Sequence, residues 1–439
     1  MKNTIIIALL LFGVFAQAQK KWTLRECVEY ALENNISIKQ SELDIESADI
    51  EKMTAIGNFL PSFSAGAGVR ENTGLSFNPT TNQPETVTFL SASGNINVGY
   101  TLFDGLRNFR RVQRAKISTL ASQYRLDKMK DDISLFVANS YLQVILNKAN
   151  LEVLQSQNNV TKEQIERTKE LVDAGVLPQG DLLEIEATNA SEQQSIVNAE
   201  NSIRISLISL AQLLLIKDYE NFDIEDEGYD IVDDGISAKP VEEIIEKAKE
   251  SRSEVIIAEA NVELAEKDLE IAQGANLPTL SAFFGYDTRY TDSNPTQFSE
   301  QIYLNDGIAY GLSLNIPILN GFSTKANVQR NKINVERTKF QLEQAELDLE
   351  STVYQAYVDA KGSLKSYEAA LSALESQELA YAYAKERYDV GLTNAFDFSQ
   401  SKLRYDNANI EANRAKYDYI FKLKVLELYF GIPATELKF

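Results

Sequence analysis

The chain has 439 residues, enough for two or three ordinary domains or one elongated repeat structure, and 44% of them are hydrophobic, which excludes disorder by composition. Its formal net charge is −21, one unit more negative once Lys2 leaves with a leader, so nucleic acid and anionic lipid are poor partners for its surface. It has no histidine, one cysteine and no G-x-x-x-x-G-K phosphate loop, and no carboxylate pair stands out; nothing marks an enzyme, and no cofactor or metal is expected.

The chain opens with Lys2, an apolar run from Thr4 to Phe15 and then Ala16-Gln17-Ala18. That is the pattern of a secretory signal peptide over 1–18 with an A-x-A cleavage site, the run being far shorter than the ~20 residues of a spanning helix. An exported chain whose only cysteine is Cys27 has no internal disulfide, and Cys27 reads as a small buried thiol. The best later apolar run, Ile205–Ile216, is too short to cross a membrane and reads as a packed helix end.

Residues 19–216 and 241–432 form two repeats. Leu60-Pro61 matches Leu277-Pro278 at an offset of 217, while Gly105 matches Gly321, Gly175 matches Gly391 and Asp181 matches Asp397 at 216. Such a unit, about 200 residues, is far longer than a solenoid repeat, so each half is a large supersecondary block. Each half opens with a helix. The first starts behind Thr23 as N-cap and runs to about Phe59; the second covers 241–275. Pro61 and Pro278 end them, because proline breaks the hydrogen-bond ladder.

Strand pairs follow, over 61–103 and 278–319. Phe63, Ala65, Ala67 and Val69 alternate with Ser62, Ser64, Gly66 and Gly68; Ile96, Val98 and Tyr100 alternate with Asn95, Asn97 and Gly99. In the second half Phe284 and Tyr286, then Tyr310, Leu312 and Leu314, continue the apolar face. Period-two alternation with one apolar and one small-polar face suits transmembrane β-strands, and equally a hairpin of a soluble sandwich. The stretches 71–88 and 291–306, rich in Asn, Thr, Pro and Ser, read as exposed loops.

Beyond Asp104-Gly105 and Asn320-Gly321 the helical period returns over 105–172 and 321–388. About 67 residues at ~1.5 Å each is roughly 100 Å. Val112-Gln113-Arg114 and Lys116 recur as Val328-Gln329-Arg330 and Lys332, the same first turns of the same helix. Return helices follow over 180–216 and 395–430. The segment 217–240 between the repeats holds nine carboxylates over 218–234. Its fit to a calcium loop fails where Glu takes ligand places and Asp230 takes position eight, so it reads as a solvated linker around the waist of a tube. A tail, 433–439, ends the chain.

Four strands cannot close a sheet, and open edges are not tolerated in lipid. Barrels begin at about eight strands, so two or three chains must combine, and the small residues of the inner face favour the wider lumen of three.

The signal peptide, the duplicated halves, the strand pairs ending in Phe103-Asp104-Gly105 and Leu319-Asn320-Gly321, the long helices and the turn Val390–Asp397 together resemble the TolC family of outer-membrane exit ducts. The resemblance covers essentially the whole mature chain. It implies an α+β membrane protein: a homotrimer with a 12-stranded transmembrane β-barrel, four strands per chain, in outer-membrane lipid, continued by a long periplasmic antiparallel α-helical coiled-coil barrel. It implies a passive duct of a tripartite efflux pump or type I secretion system, working with a periplasmic adaptor (membrane fusion) protein and an inner-membrane RND or ABC transporter. A soluble periplasmic coiled-coil adaptor is the alternative, and it gives no reason for the four alternating segments. A third reading, an exported carboxylate-based hydrolase, needs a cleft that long thin helices do not readily build.

The resemblance also carries site residues. Ala174, Gly175 and Val176, and Val390, Gly391 and Leu392, match the helix–helix turns of the periplasmic tip that meets the adaptor; Gly175 and Gly391 are equally plain helix C-caps. Asp397 matches an acidic ring that narrows the closed pore, while the second ring position falls on Gln400. Asp181 and Tyr388 match a pair whose hydrogen bond holds the tip closed, and Thr393 stands where an arginine would help lock it. Asp181 and Asp397 also suit the N-terminal end of a helix dipole without any gating role.

Overall fold

Thr23 opens the first helix through a capping box: its Oγ1 accepts from the Glu26 amide at 3.2 Å, and Glu26 Oε2 accepts from the Thr23 amide at 3.1 Å. The computed structural model describes residues 21–78, 80–226, 228–229, 231–232 and 235–432. The signal peptide expected over 1–18, the tail 433–439 and Glu227, Asp230, Asp233 and Asp234 of the acidic segment lie outside the described residues.

In chain order the elements are β1 (Lys21–Trp22), α1 (Leu24–Asn34), α2 (Ile36–Gly57), β2 (Ser62–Asn78), β3 (Gln83–Phe103), α3 (Arg107–Asp173), α4 (Gln179–Leu213) and β4 (Asp223–Ile224). After a 3-10 turn at Ile236–Ala238 come α5 (Val241–Ser251), α6 (Ser253–Gly274), β5 (Thr279–Thr291), α7 (Phe298–Leu304), β6 (Gly307–Asn315), α8 (Ser323–Asp389) and α9 (Ala395–Tyr429). The long helices α3 and α8 both have 67 residues and the return helices α4 and α9 both have 35, so the duplication is kept at the level of element length.

The chain divides into two compact units, each drawing on both repeats. One holds the residues up to Glu42, Tyr124–Ile256 and Gln344 onward; the other holds Leu43–Gln123 and Ile257–Glu343. The first contains the main core, where Cys27, Ala31 and Ile38 pack with Val137, Tyr141 and Ile145 of α3, Leu210 of α4 and Ile420 of α9. Cys27 is a buried thiol.

Each expected opening helix is broken once, at positions that match between the repeats. Asn35 and Arg252 both take extended backbone angles between two helices. Each is a buried polar residue that satisfies what the break exposes. Asn35 Oδ1 accepts from the Ser37 amide at 2.8 Å and its Nδ2 donates to the Leu213 carbonyl at 3.4 Å. Arg252 donates to Asp131 at 3.0 Å and through two nitrogens to Glu254, and lies over the Tyr429 ring. An i, i+3, i+4 pattern runs straight through such a break, because the break residue is itself buried and keeps the spacing, as Asn35 does between Ala31 and Ile38.

The acidic segment is more than a solvated linker. Asp223 and Ile224 pair in parallel with Lys21 and Trp22 as β4 with β1, and Phe222, Ile224 and Tyr229 are buried in the core. The Tyr141 hydroxyl donates to the carbonyls of Trp22 and Glu225, tying α3 to both strands.

In the second unit the strands form one antiparallel sheet in the order β2-β3-β5-β6, leaving β2 and β6 as edges. The stretch 71–88 corrects the loop reading: β2 pairs with β3 from Ser62 opposite Gly99 to Asn78 opposite Gln83. The 291–306 connection carries α7, whose buried Gln301 accepts from the Thr291 amide and donates to the Thr291, Asn294 and Thr296 carbonyls. The register sets Phe63, Val98, Phe284 and Tyr310 in one row and Ala65, Ile96, Tyr286 and Ile308 in the next. Between them runs the small-polar row of Ser64, Asn97, Gly285 and Ala309, on the opposite face. Tyr310 is 79% exposed and Ile308 63%, so no element among the described residues covers the apolar face there.

Strand gives way to helix through the same backbone move twice. Gly105 and Leu106, like Gly321 and Phe322, have positive φ. Asp104 Oδ2 then caps α3 by accepting from the Asn108 amide at 2.9 Å. Arg110 pairs with Glu270, and Arg114 with Asp268 at 2.6 Å, holding α3 beside α6.

Candidate functional site

The turns α3–α4 and α8–α9 are built alike. Gly175 (φ 74°) and Gly391 (φ 75°) stand in the left-handed region that glycine enters without penalty. The Val176 amide reaches back to the Leu171 carbonyl, as the Leu392 amide does to that of Arg387, both at 2.8 Å. These paired bonds close each helix and leave Val176, Val390 and Leu392 exposed beside Leu183 and Phe396.

Asp181 and Asp397 both lie in the first turn of their return helices, α4 and α9. Asn394 caps α9 by accepting from the Asp397 amide at 2.8 Å, and the Thr393 hydroxyl donates to Asp397 Oδ2 at 3.2 Å. Gln400 follows one turn on and lines a cavity between α4 and α9.

Below the turns, four helices share a small core. Ile185 of α4 and Tyr388, Ala395 and Phe398 are buried together, with Ile165 and Tyr381 against them. The Tyr388 ring stacks on Phe398 with centroids 5.0 Å apart. Its hydroxyl pairs with Thr168 Oγ1 at 2.8 Å, so the partner is on α3 and is not Asp181. Burial pushes the Tyr388 phenol up, so it stays protonated. Arg167 adds an ion pair to Asp389 at 2.9 Å. Replacing Tyr388 with Phe removes one neutral hydrogen bond and leaves Thr168 Oγ1 buried without it. We expect a loss of about 1 kcal/mol, read as faster amide exchange at 385–398. Thr168 and Arg167 carried no signal in the sequence, since a lone threonine or arginine on a long helix looks like any solvated position.

Among the described residues no helix is long and apolar enough to cross a membrane. This says nothing of the sheet.

The chain matches the family model described as outer membrane efflux protein over residues 27–214 and 244–431. It belongs to the outer membrane efflux protein family. The outer membrane protein TolC of Vibrio cholerae is 24% identical over 67% of this chain, and the chain spans 66% of that relative's length, just under two thirds. The proteases secretion protein PrtF of Dickeya chrysanthemi is 20% identical over 74% of this chain and 69% of its own. Among solved structures, the outer membrane channel CmeC of Campylobacter jejuni superposes with a TM-score of 0.78 at 18% identity, covering 94% of this chain and 85% of that one. At this identity the superposition speaks for the fold.

Proposed function

We propose that the protein is a passive outer-membrane exit duct of a tripartite efflux pump or a type I secretion system, exported to the Gram-negative outer membrane and reaching into the periplasm. One observation carries the reading. A four-stranded sheet with two free edges presents rows of apolar side chains, many of them exposed, on one face and mostly small or polar residues, with Phe283 among them, on the other. Such a sheet is complete only when its edges meet those of other copies in lipid. Three chains make a 12-stranded barrel with a lumen too wide for side chains to fill.

The helices support the same assembly. Ile36, Leu43 and Ile50 on α2, and Ile333, Phe340, Leu347 and Tyr354 on α8, are exposed at seven-residue intervals. A seven-residue apolar repeat on an uncovered helix face is the seam of a coiled coil, here with a neighbouring copy. In this reading Ala174, Gly175, Val176, Val390, Gly391 and Leu392 form the tip that meets a periplasmic adaptor, itself joined to an inner-membrane RND or ABC transporter. Asp397, Gln400, Asp181 and Tyr388 sit at the constriction.

Planar-bilayer conductance of the purified protein, together with its mass in detergent, tests the duct. A stable trimer that conducts is expected; a monomer without a pore overturns the reading. Neutralising Asp397 as Asp397→Asn is expected to weaken block by divalent cations added on the periplasmic side at least several-fold. Unchanged block removes Asp397 from the constriction.

A further inference from the structure

Lys402 of α9 is 2% exposed, an uncommon place for an ammonium. Its Nζ donates to Glu192 Oε1 of α4 at 2.6 Å and to Asp406 Oδ2, one turn further along α9, at 3.2 Å. Glu192 is served from α3 as well, by Asn158 Nδ2 at 3.0 Å and Thr161 Oγ1 at 2.9 Å. Asp406 is not: its Oδ1 is buried and accepts from no group among the described residues. The cluster therefore sets two carboxylates against one ammonium. Beside it a cavity of about 410 Å³ separates parts of α4 and α9, lined also by Glu184, Ser195, Gln400 and Asn407.

Beyond Lys402 and Glu192, Asp406 shares the cavity with the Glu184 carboxylate of α4 and faces two phenols. Tyr381 of α8 and Tyr405 of α9 stack with centroids 5.3 Å apart. Burial pushes Tyr381 up to about 12 and also raises Tyr405, so both stay neutral. Burial likewise pushes the Asp406 carboxyl up to about 6, against the pull of Lys402 and helped by Glu192.

We propose that Glu192, Lys402 and Asp406 form a proton-operated clip between α4 and α9, closed when Asp406 is protonated and loosened when it is ionised. Protonation leaves a paired, neutral Lys402–Glu192 bridge. Ionisation leaves one buried charge in excess, which is relieved only by letting water into the neighbouring cavity. The folded chain holds this proton to higher pH than an unfolded aspartate does. The contact is therefore strongest below about pH 6 and weakens as pH rises through that value.

Spin labels at Gln193→Cys and Asn407→Cys, both exposed and each next to a clip residue, read the separation of α4 and α9 in the full chain; the native Cys27 is buried. We expect one short, narrow distance distribution at pH 5 and a longer, broader one at pH 8, with the change centred near 6. Asp406→Asn, nearly the same size and without the charge, is expected to give the narrow distribution at both pH values. Asp181→Asn should keep the wild-type midpoint. A wild-type separation that does not move with pH overturns the clip, as does an Asp406→Asn protein that moves with the same midpoint. If Asp406→Asn does not fold, the wild-type pH series decides alone. The readout needs no transport partner, so it stands or falls apart from conductance.

Discussion

Replacing Lys402 with methionine is expected to destabilise the packing of α4 on α9 by about 3–5 kcal/mol near pH 6, before water enters the contact, the usual cost of leaving one member of a buried ion pair without its partner. Methionine fills most of the lysine's volume, so the loss isolates the charge. Glu192 keeps its two neutral donors from α3, but Asp406 loses the Lys402 donor to Oδ2 and its Oδ1 has none among the described residues. The cost should shrink below about pH 6, where Asp406 takes up a proton. Lys365→Met supplies the contrast. Lys365 pairs with Glu368 at 2.6 Å, yet the two side chains are 77% and 52% exposed, and removing such a pair moves stability by under about 1 kcal/mol. Amide exchange over 395–410 measures the first change and denaturant unfolding both. Equal effects from the two variants would mean that water already reaches Lys402.

The second large effect separates two glycines that share backbone geometry. Gly105 and Gly321 lie at equivalent strand-to-helix junctions with φ of 73° and 60°. A Cβ on Gly105 would stand 2.3 Å from the Gly274 carbonyl oxygen, whereas one on Gly321 would meet nothing within 4 Å. Gly321→Ala therefore carries only the strain of an alanine at positive φ, about 1–2 kcal/mol. Gly105→Ala adds a backbone collision that forces α3 and α6 apart, for a total of roughly 2–5 kcal/mol. Thermal unfolding of the two variants in detergent compares them directly. Matching midpoints would show that the close approach at Gly105 relaxes freely.

What could be read beforehand was whatever repeats with a period. The alternation of Phe63, Ala65, Ala67 and Val69 with small residues marks a strand wherever it is packed, and the long runs behind Gly105 and Gly321 admit nothing but helix. What could not be read depends on a distant partner. Glu71 and Thr73 interrupt the apolar face, which resumes at Leu75 and Phe77, and residues 71–78 are extended because residues 83–90 lie opposite them. Asp223 and Ile224 become a strand only because Lys21 and Trp22 stand beside them. The same holds at the helix turns. Gly175 and Gly391 are local punctuation, and their positive φ follows from sequence alone. The Tyr388–Thr168 bond spans 220 residues, and Lys402 with Asp406 resembles an ordinary exposed i, i+4 pair until Glu192 arrives from another helix.

The pairing of β3 with β5 also constrains how the chain assembles itself. β2 and β3 meet across a few residues and can form a hairpin within microseconds. β3 must then wait for β5, since Ser91 pairs with Thr291 and everything between them is made first. During synthesis the early hairpin carries an uncovered apolar face and a vacant strand edge through the whole production of α3 and α4. The vacant β3 edge is filled only when the second repeat supplies β5, and the apolar face and the two outer edges stay open to aggregation beyond that point.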